Sequence, residues 1–111
     1  IYYQTNEYEI TPDNAKRLDV IVKSLIKNQT YKLEIYSHTD SKGNDDANLD
    51  LSNKRAQAVL GFMVSKGIDK NRLLAKGMGE TKIINRCVND INCSEKEHEL
   101  NRRTEFKFIK L

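Results

Sequence analysis

Residues 37–59, SHTDSKGNDDANLDLSNKRAQAV, place an acid at the end of an apolar run, Asp40, and an arginine inside a helical pattern, Arg55. A carboxylate beside a guanidinium fork suits a zwitterion. Its ammonium would go to Asp40 and its carboxylate to Arg55, the latter contact able to be bidentate. Asn48, Ser52, Arg55 and Val59 share one helix face. That face starts polar and turns apolar at Val59, so one end of the helix lines a polar pocket. Unpaired N–H groups at the helix start add a favourable place for an anion. Asp40 and Arg55 can equally pair with each other as a structural salt bridge, and the residue types alone leave both readings open.

The elements that must position these residues follow from the pattern around them. IYYQTNEY opens as a strand running into a polar turn. In ITPDNAKRLDVIVKSLIKN, Thr11 is a good N-cap, Pro12 fits the first helical position and Asp13 suits the positive helix end. Ala15, Leu18, Val22 and Leu25 recur at helical spacing, with Ile21 and Ile26 widening the stripe. YKLEIYSH alternates as a half-buried strand, Leu33 and Ile35 on one face. A second helix is expected from about Asn48, ending at Gly67, where Ile68 can pack back on the last turn. NRLLAKGMG reads as a short strand, SEKEHEL as a helical turn or two, and RTEFKFIKL as a closing strand. The order β-α-β-α-β-(short α)-β predicts an α/β (α+β) two-layer sandwich, helices on one four-stranded mixed sheet.

At 111 residues the chain is one domain, residues 1–111, and its ends in strands read as a piece excised from a longer protein. The net charge of +3 comes from 19 basic and 16 acidic residues without a basic block, which argues against nucleic acid as a partner. No run approaches the roughly 20 apolar residues of a membrane-spanning helix. Cys87 and Cys93 sit in the polar segment NRCVNDINCSE. A bridge across this small loop would imply an oxidising compartment such as the periplasm. Two free thiols, or a metal site with His98 as third ligand, are the other readings, the latter short of a fourth ligand.

TDSKGNDDANLDLSNKRAQAV resembles the signature of the OmpA-like C-terminal domain, with Thr39, Asp40, Gly43, Asn48, Leu51, Ser52, Arg55, Ala56 and Val59 in register. GIDKNRL, GMGE and NRRTEF follow in that family's order, and NEYEITPDN resembles its strand-to-helix entry. The resemblance implies a module that binds peptidoglycan without making or breaking bonds. Its ligand would be the diaminopimelate residue of the stem peptide, whose side-chain end is such a zwitterion. Asp40 would hold the ammonium and Arg55 the carboxylate, Thr39 and Asn48 would shape the pocket, and Arg102 or Arg103 would approach it. It further implies a periplasmic domain that anchors an outer-membrane protein, lipoprotein or envelope complex to the wall through the rest of its parent, with no cofactor. Ser37 stands where the family usually has glycine, and TKIIN follows GMGE where a proline is common. CSEKEHELNRRTEF resembles Bacteroidetes members.

Two other functions are weighed against this one. Hydrolysis of the wall by Asp40 and Glu80 would need one acid with a raised pKa, and an arginine beside Asp40 works against that. His38 has no nucleophile with an oxyanion-hole motif beside it and reads as structural. A protein–protein module of an envelope complex would advertise an exposed apolar patch. Gly77 and Gly79 lack the third glycine of a nucleotide fingerprint and read as a tight strand exit.

Overall fold

The computed structural model describes residues 1–4, 6–41, 45–81 and 93–110. Helix α1 (Pro12–Lys27) begins as its residue types demand. Thr11 is extended, and its Oγ1 accepts the Asn14 N–H at 3.2 Å. Leu18, Val22 and Leu25 form its buried face, whereas Ile26 is half exposed and does not extend it. Strand β1 (Tyr31–Ser37) buries Leu33, Ile35 and Ser37 and turns Lys32, Glu34 and Tyr36 the other way.

Helix α2 (Asp45–Ser65) starts three residues before the expected Asn48, with Asp45 and Asp46 in its first turn, where carboxylates are favoured. A single 3-10 turn (Lys70–Arg72) leads into β2 (Leu73–Gly77). Helix α3 (Glu95–Glu99) is closed by a capping box. Ser94 Oγ accepts the Glu97 N–H, and Glu97 accepts the Ser94 N–H, each at 3.1 Å. Strand β3 (Thr104–Lys110) completes the chain's regular structure.

The sheet runs β2-β1-β3. β2 lies parallel to β1, from Leu33 opposite Leu73 to Ser37 opposite Gly77. β3 is antiparallel, from Tyr31 opposite Lys110 to Ser37 opposite Thr104. Among the described residues the sheet therefore has three strands, not the expected four. The first segment pairs with the start of β3 only through the Tyr2–Arg103 bridge. Its main-chain bonds there are Tyr3 N–H to Arg102 O and Thr104 N–H to Ile1 O, both 2.9 Å, with the Ile1 ammonium donating to Thr104 O at 3.3 Å. The reason is local: after three residues the polar QTNE begins, Glu7 N–H closes a turn on Gln4 O, and Asn6 adopts φ +62°, a region Asn tolerates.

The core lies between the helices and one sheet face. It is built from Leu18, Val22 and Leu25 of α1, Leu33 and Ile35 of β1, Val59 and Met63 of α2, and Ile68. Each fully buried leucine contributes about 2 kcal/mol by removal from water. Of the strand aromatics, whose spacing reads as core or half-core packing, Tyr3 is buried and Phe106 packs on the core's edge. Tyr2 and Phe108 are about half exposed.

Arg72 clips the far end of this core. Its guanidinium donates to the carbonyls of Leu25, Asn28 and Tyr31 at 2.8–3.0 Å, tying the end of α1 to the start of β1. Cys87 lies outside the described residues, and so does its expected pairing with Cys93; no described cysteine is free. No described cluster of three or more acids, histidines or cysteines is arranged to hold a metal, and no described helix is long and apolar enough to cross a membrane.

Candidate ligand-binding site

The stripe read from α2 is buried along its length: Asn48, Ser52, Arg55 and Val59 all face inward. Arg55 is the consequential member, because helix packing forces its charged end under the chain that precedes α1. Its Nε donates to Glu7 O at 2.7 Å, Nη1 to His38 O at 2.8 Å and Nη2 to Gln4 O at 3.2 Å. The guanidinium also lies over the Tyr3 ring, 4.6 Å from its centroid. Burial lowers its pKa to about 10, the nearby Tyr3 and Asp40 partly opposing and Arg102 adding to the shift. Arg55 stays charged at neutral pH. Two of its five N–H groups are left for another acceptor.

Asp40 does not take Arg55 as its salt-bridge partner. Arg102 fills that role: Nη1 donates to Asp40 Oδ2 at 2.8 Å, Nη2 to Glu95 Oε1 at 2.5 Å, and Nε to Tyr3 O at 2.7 Å. Arg102 thereby joins the loop after β1, helix α3 and the N-terminal segment, with its side chain 2% exposed. Of the two arginines in NRR, Arg102 meets Asp40, while Arg103 pairs with Glu105 and donates to Asn101 O at 3.4 Å. That pairing holds the Glu105 carboxyl below its usual range.

Asn48 and Thr39 border the same place. Asn48 Nδ2 reaches Asp40 O at 3.4 Å and Glu80 Oε1 at 3.2 Å. Thr39 is buried, its N–H donates to Gly79 O at 2.9 Å, and its Oγ1 meets no hydrogen-bond partner among the described residues. Desolvation and a hydrogen bond to Asp45 push the Glu80 carboxyl up. Both glycines of GMGE serve close approach. A Cβ on Gly77 would lie 2.3 Å from Asn53 N, and Gly79, at φ +57°, donates to Ser52 Oγ at 2.8 Å. They press the exit of β2 onto α2 and so deliver Glu80 to Asn48.

Sequence reasoning did not single out Glu95 or Arg72, and it read Tyr3 only as a packing aromatic. The Ser94-x-x-Glu97 capping box was a legible signal for α3, and Glu95 and Arg102 then fall seven residues apart on one continuing turn. A polar constellation of Asp40, Arg55, Arg102 and Asn48 thus stands where β1 ends and α2 begins. Residues 2–96 match the OmpA family.

The chain belongs to the OmpA family. Over 93 residues this OmpA-family domain is 32% identical to the peptidoglycan-associated lipoprotein of Rhizobium meliloti, a match covering 84% of this chain and 52% of that one. A 50-residue stretch is 56% identical to photosystem I P700 chlorophyll a apoprotein A2 of Gloeobacter violaceus, covering 45% of this chain and 6% of that one. The chain spans about half the length, or less, of these curated relatives.

Its fold is that of the peptidoglycan-associated lipoprotein of Burkholderia pseudomallei (TM-score 0.88, 22% identity, 98% of this chain and 88% of that one). The C-terminal domain of Helicobacter pylori MotB shares it too (TM-score 0.84, 22% identity, 98% and 82%).

Proposed function

We propose that this domain binds peptidoglycan non-covalently through the diaminopimelate residue of the stem peptide, anchoring its parent protein to the wall from the periplasm. The observation that carries the reading is the meeting of the Asp40 carboxylate with the guanidinium of Arg102, with Arg55 close enough for their charges to interact. An acid between two guanidiniums presents an acceptor and donors to a zwitterion within one small volume. The ligand's ammonium goes to Asp40, and its carboxylate takes the Arg55 N–H groups that the protein's own carbonyls leave over. Because Arg55 is fully buried, the carboxylate reaches it as the Gln4 and Glu7 carbonyls give way. Thr39 Oγ1 supplies a further hydroxyl at the pocket wall, and Asn48 fixes the Asp40 main chain from α2.

Membership of a family whose relatives include peptidoglycan-associated lipoproteins supports the same reading. The reading includes a Cys87–Cys93 bridge, which persists only in an oxidising compartment such as the periplasm. The NRRTEF ending and the cysteine segment fit a Bacteroidetes-type member.

Titration calorimetry with a muropeptide whose third residue is meso-diaminopimelate tests the reading. Saturable binding, lost in Asp40→Asn that still unfolds cooperatively, is the expected result. No heat from the native domain would overturn it.

A further inference from the structure

The Asp40–Arg102 contact raises a difficulty that α3 resolves. A carboxylate already paired with a guanidinium at 2.8 Å is locally neutral and attracts an ammonium only weakly. Yet Arg102 is shared: its Nη2 donates at 2.5 Å to Glu95, whose side chain is 57% exposed. We propose that Glu95 sets the charge specificity of this site, drawing on Arg102 so that Asp40 keeps enough negative potential to hold the ligand's ammonium. The inference rests on the zwitterion-binding reading above.

The balance can be followed group by group. Arg55 and Arg102 bring two positive charges, and Asp40 and Glu95 bring two negative ones. This quartet is neutral, as is the zwitterion that it receives. Asp45 and Glu80 flank it from the start of α2 through Asn48, sharing a hydrogen bond with each other. Without the Glu95 charge, Arg102 is left with Asp40 as its one contacting carboxylate, and the potential at Asp40 becomes less negative. The site would then favour a ligand that keeps its carboxylate but lacks the ammonium.

Glu95 is well placed for this, and the cap of α3 forms without it. The capping box fixes the first turn of α3, and the turn continues through Asn101 N–H to His98 O and Arg102 N–H to Glu99 O. Glu95 and Arg102 therefore share a face two turns apart. Glu95 packs into no core cluster. It acts through Arg102 and is a positioning residue, not a ligand contact.

The test compares two muropeptides that differ in one group. One carries meso-diaminopimelate at the third position; the other carries 2-aminopimelate, which keeps the distal carboxylate and lacks the distal ammonium. The native domain is expected to prefer the first by about ten-fold or more. In Glu95→Gln, which keeps a hydrogen-bonding side chain, the preference falls several-fold while the affinity for the 2-aminopimelate ligand holds or rises. Glu95→Asp, which keeps the charge, restores at least part of the preference.

A merely structural role would weaken both ligands alike, and an unchanged ratio in a folded Glu95→Gln overturns the inference while leaving the binding reading intact. Failure of the native domain to bind either muropeptide overturns both.

Discussion

Arg102 and Asp40 meet at 2.8 Å across 62 residues of chain, both almost entirely buried. The pair joins the loop after β1 to the turn before β3, and each partner depends on the other. Arg102→Ala leaves Asp40 buried without its cation and is expected to destabilise the domain by about 3–5 kcal/mol. Asp40→Asn keeps the shape and an acceptor oxygen, and is expected to cost about 1–3 kcal/mol. Urea unfolding of both variants checks the order; equal, negligible losses would contradict it.

Arg55 carries structure as well as the proposed ligand contact. Arg55→Ala removes the donor from three carbonyls, at about 1–3 kcal/mol for each one left dry, a large share of a small domain's stability. Arg55→Lys keeps the charge but loses the planar fork and the Tyr3 stacking, costing about 2 kcal/mol. Thermal melts should rank native above Lys above Ala. Loss of wall binding by Arg55→Ala therefore speaks to the pocket only if the variant is shown to fold.

Gly77→Ala tests the junction that delivers Glu80. The added Cβ would meet Asn53 N at 2.3 Å and Ser52 C at 2.6 Å, both backbone atoms of α2 that cannot swing aside. A loss of about 3 kcal/mol or more is expected, whereas Gly61→Ala, inside α2 with no atom within 4 Å of the added Cβ, should gain about 0.5–1 kcal/mol. Comparable stability of the two variants would contradict the packing.

Two carboxylates pull the acid limb of the stability curve in opposite directions. Glu105 is held below its usual range by Arg103, so its contribution is present at neutral pH and lost as pH falls through that lowered value. Glu80 is pushed up by desolvation and Asp45, so the folded state takes up its proton first. Relative to Glu80→Gln, the native domain should gain stability as pH falls from neutrality through the raised Glu80 value toward the ordinary carboxylate range. Urea melts from about pH 7 down to about pH 4 read the difference. A difference that stays flat would mean that Glu80 is not so placed.

The local grammar of this chain was legible where one element decides it. Thr11-Pro12-Asp13 announces α1, and the alternation of Leu33 and Ile35 announces β1. The Asn48–Ser52–Arg55–Val59 stripe is buried as its spacing implied. What could not be read is what depends on distant segments meeting. Spacing gave no sign that Asp40 would pair with Arg102, 62 residues on, in place of Arg55.

The aromatic opening likewise suggested a strand, but three residues before a polar turn yield one bridge and a main chain whose carbonyls serve the arginines. Asp45 and Asp46 read as loop because they are polar, although carboxylates are at home in a helix's first turn.

Co-sedimentation with purified sacculi reads wall binding itself. The native domain should pellet with diaminopimelate-type wall and stay in solution with lysine-type wall, whose side chain lacks the distal carboxylate. Folded Asp40→Asn should pellet with neither. Equal pelleting of the native domain with both walls, or with neither, would contradict the account.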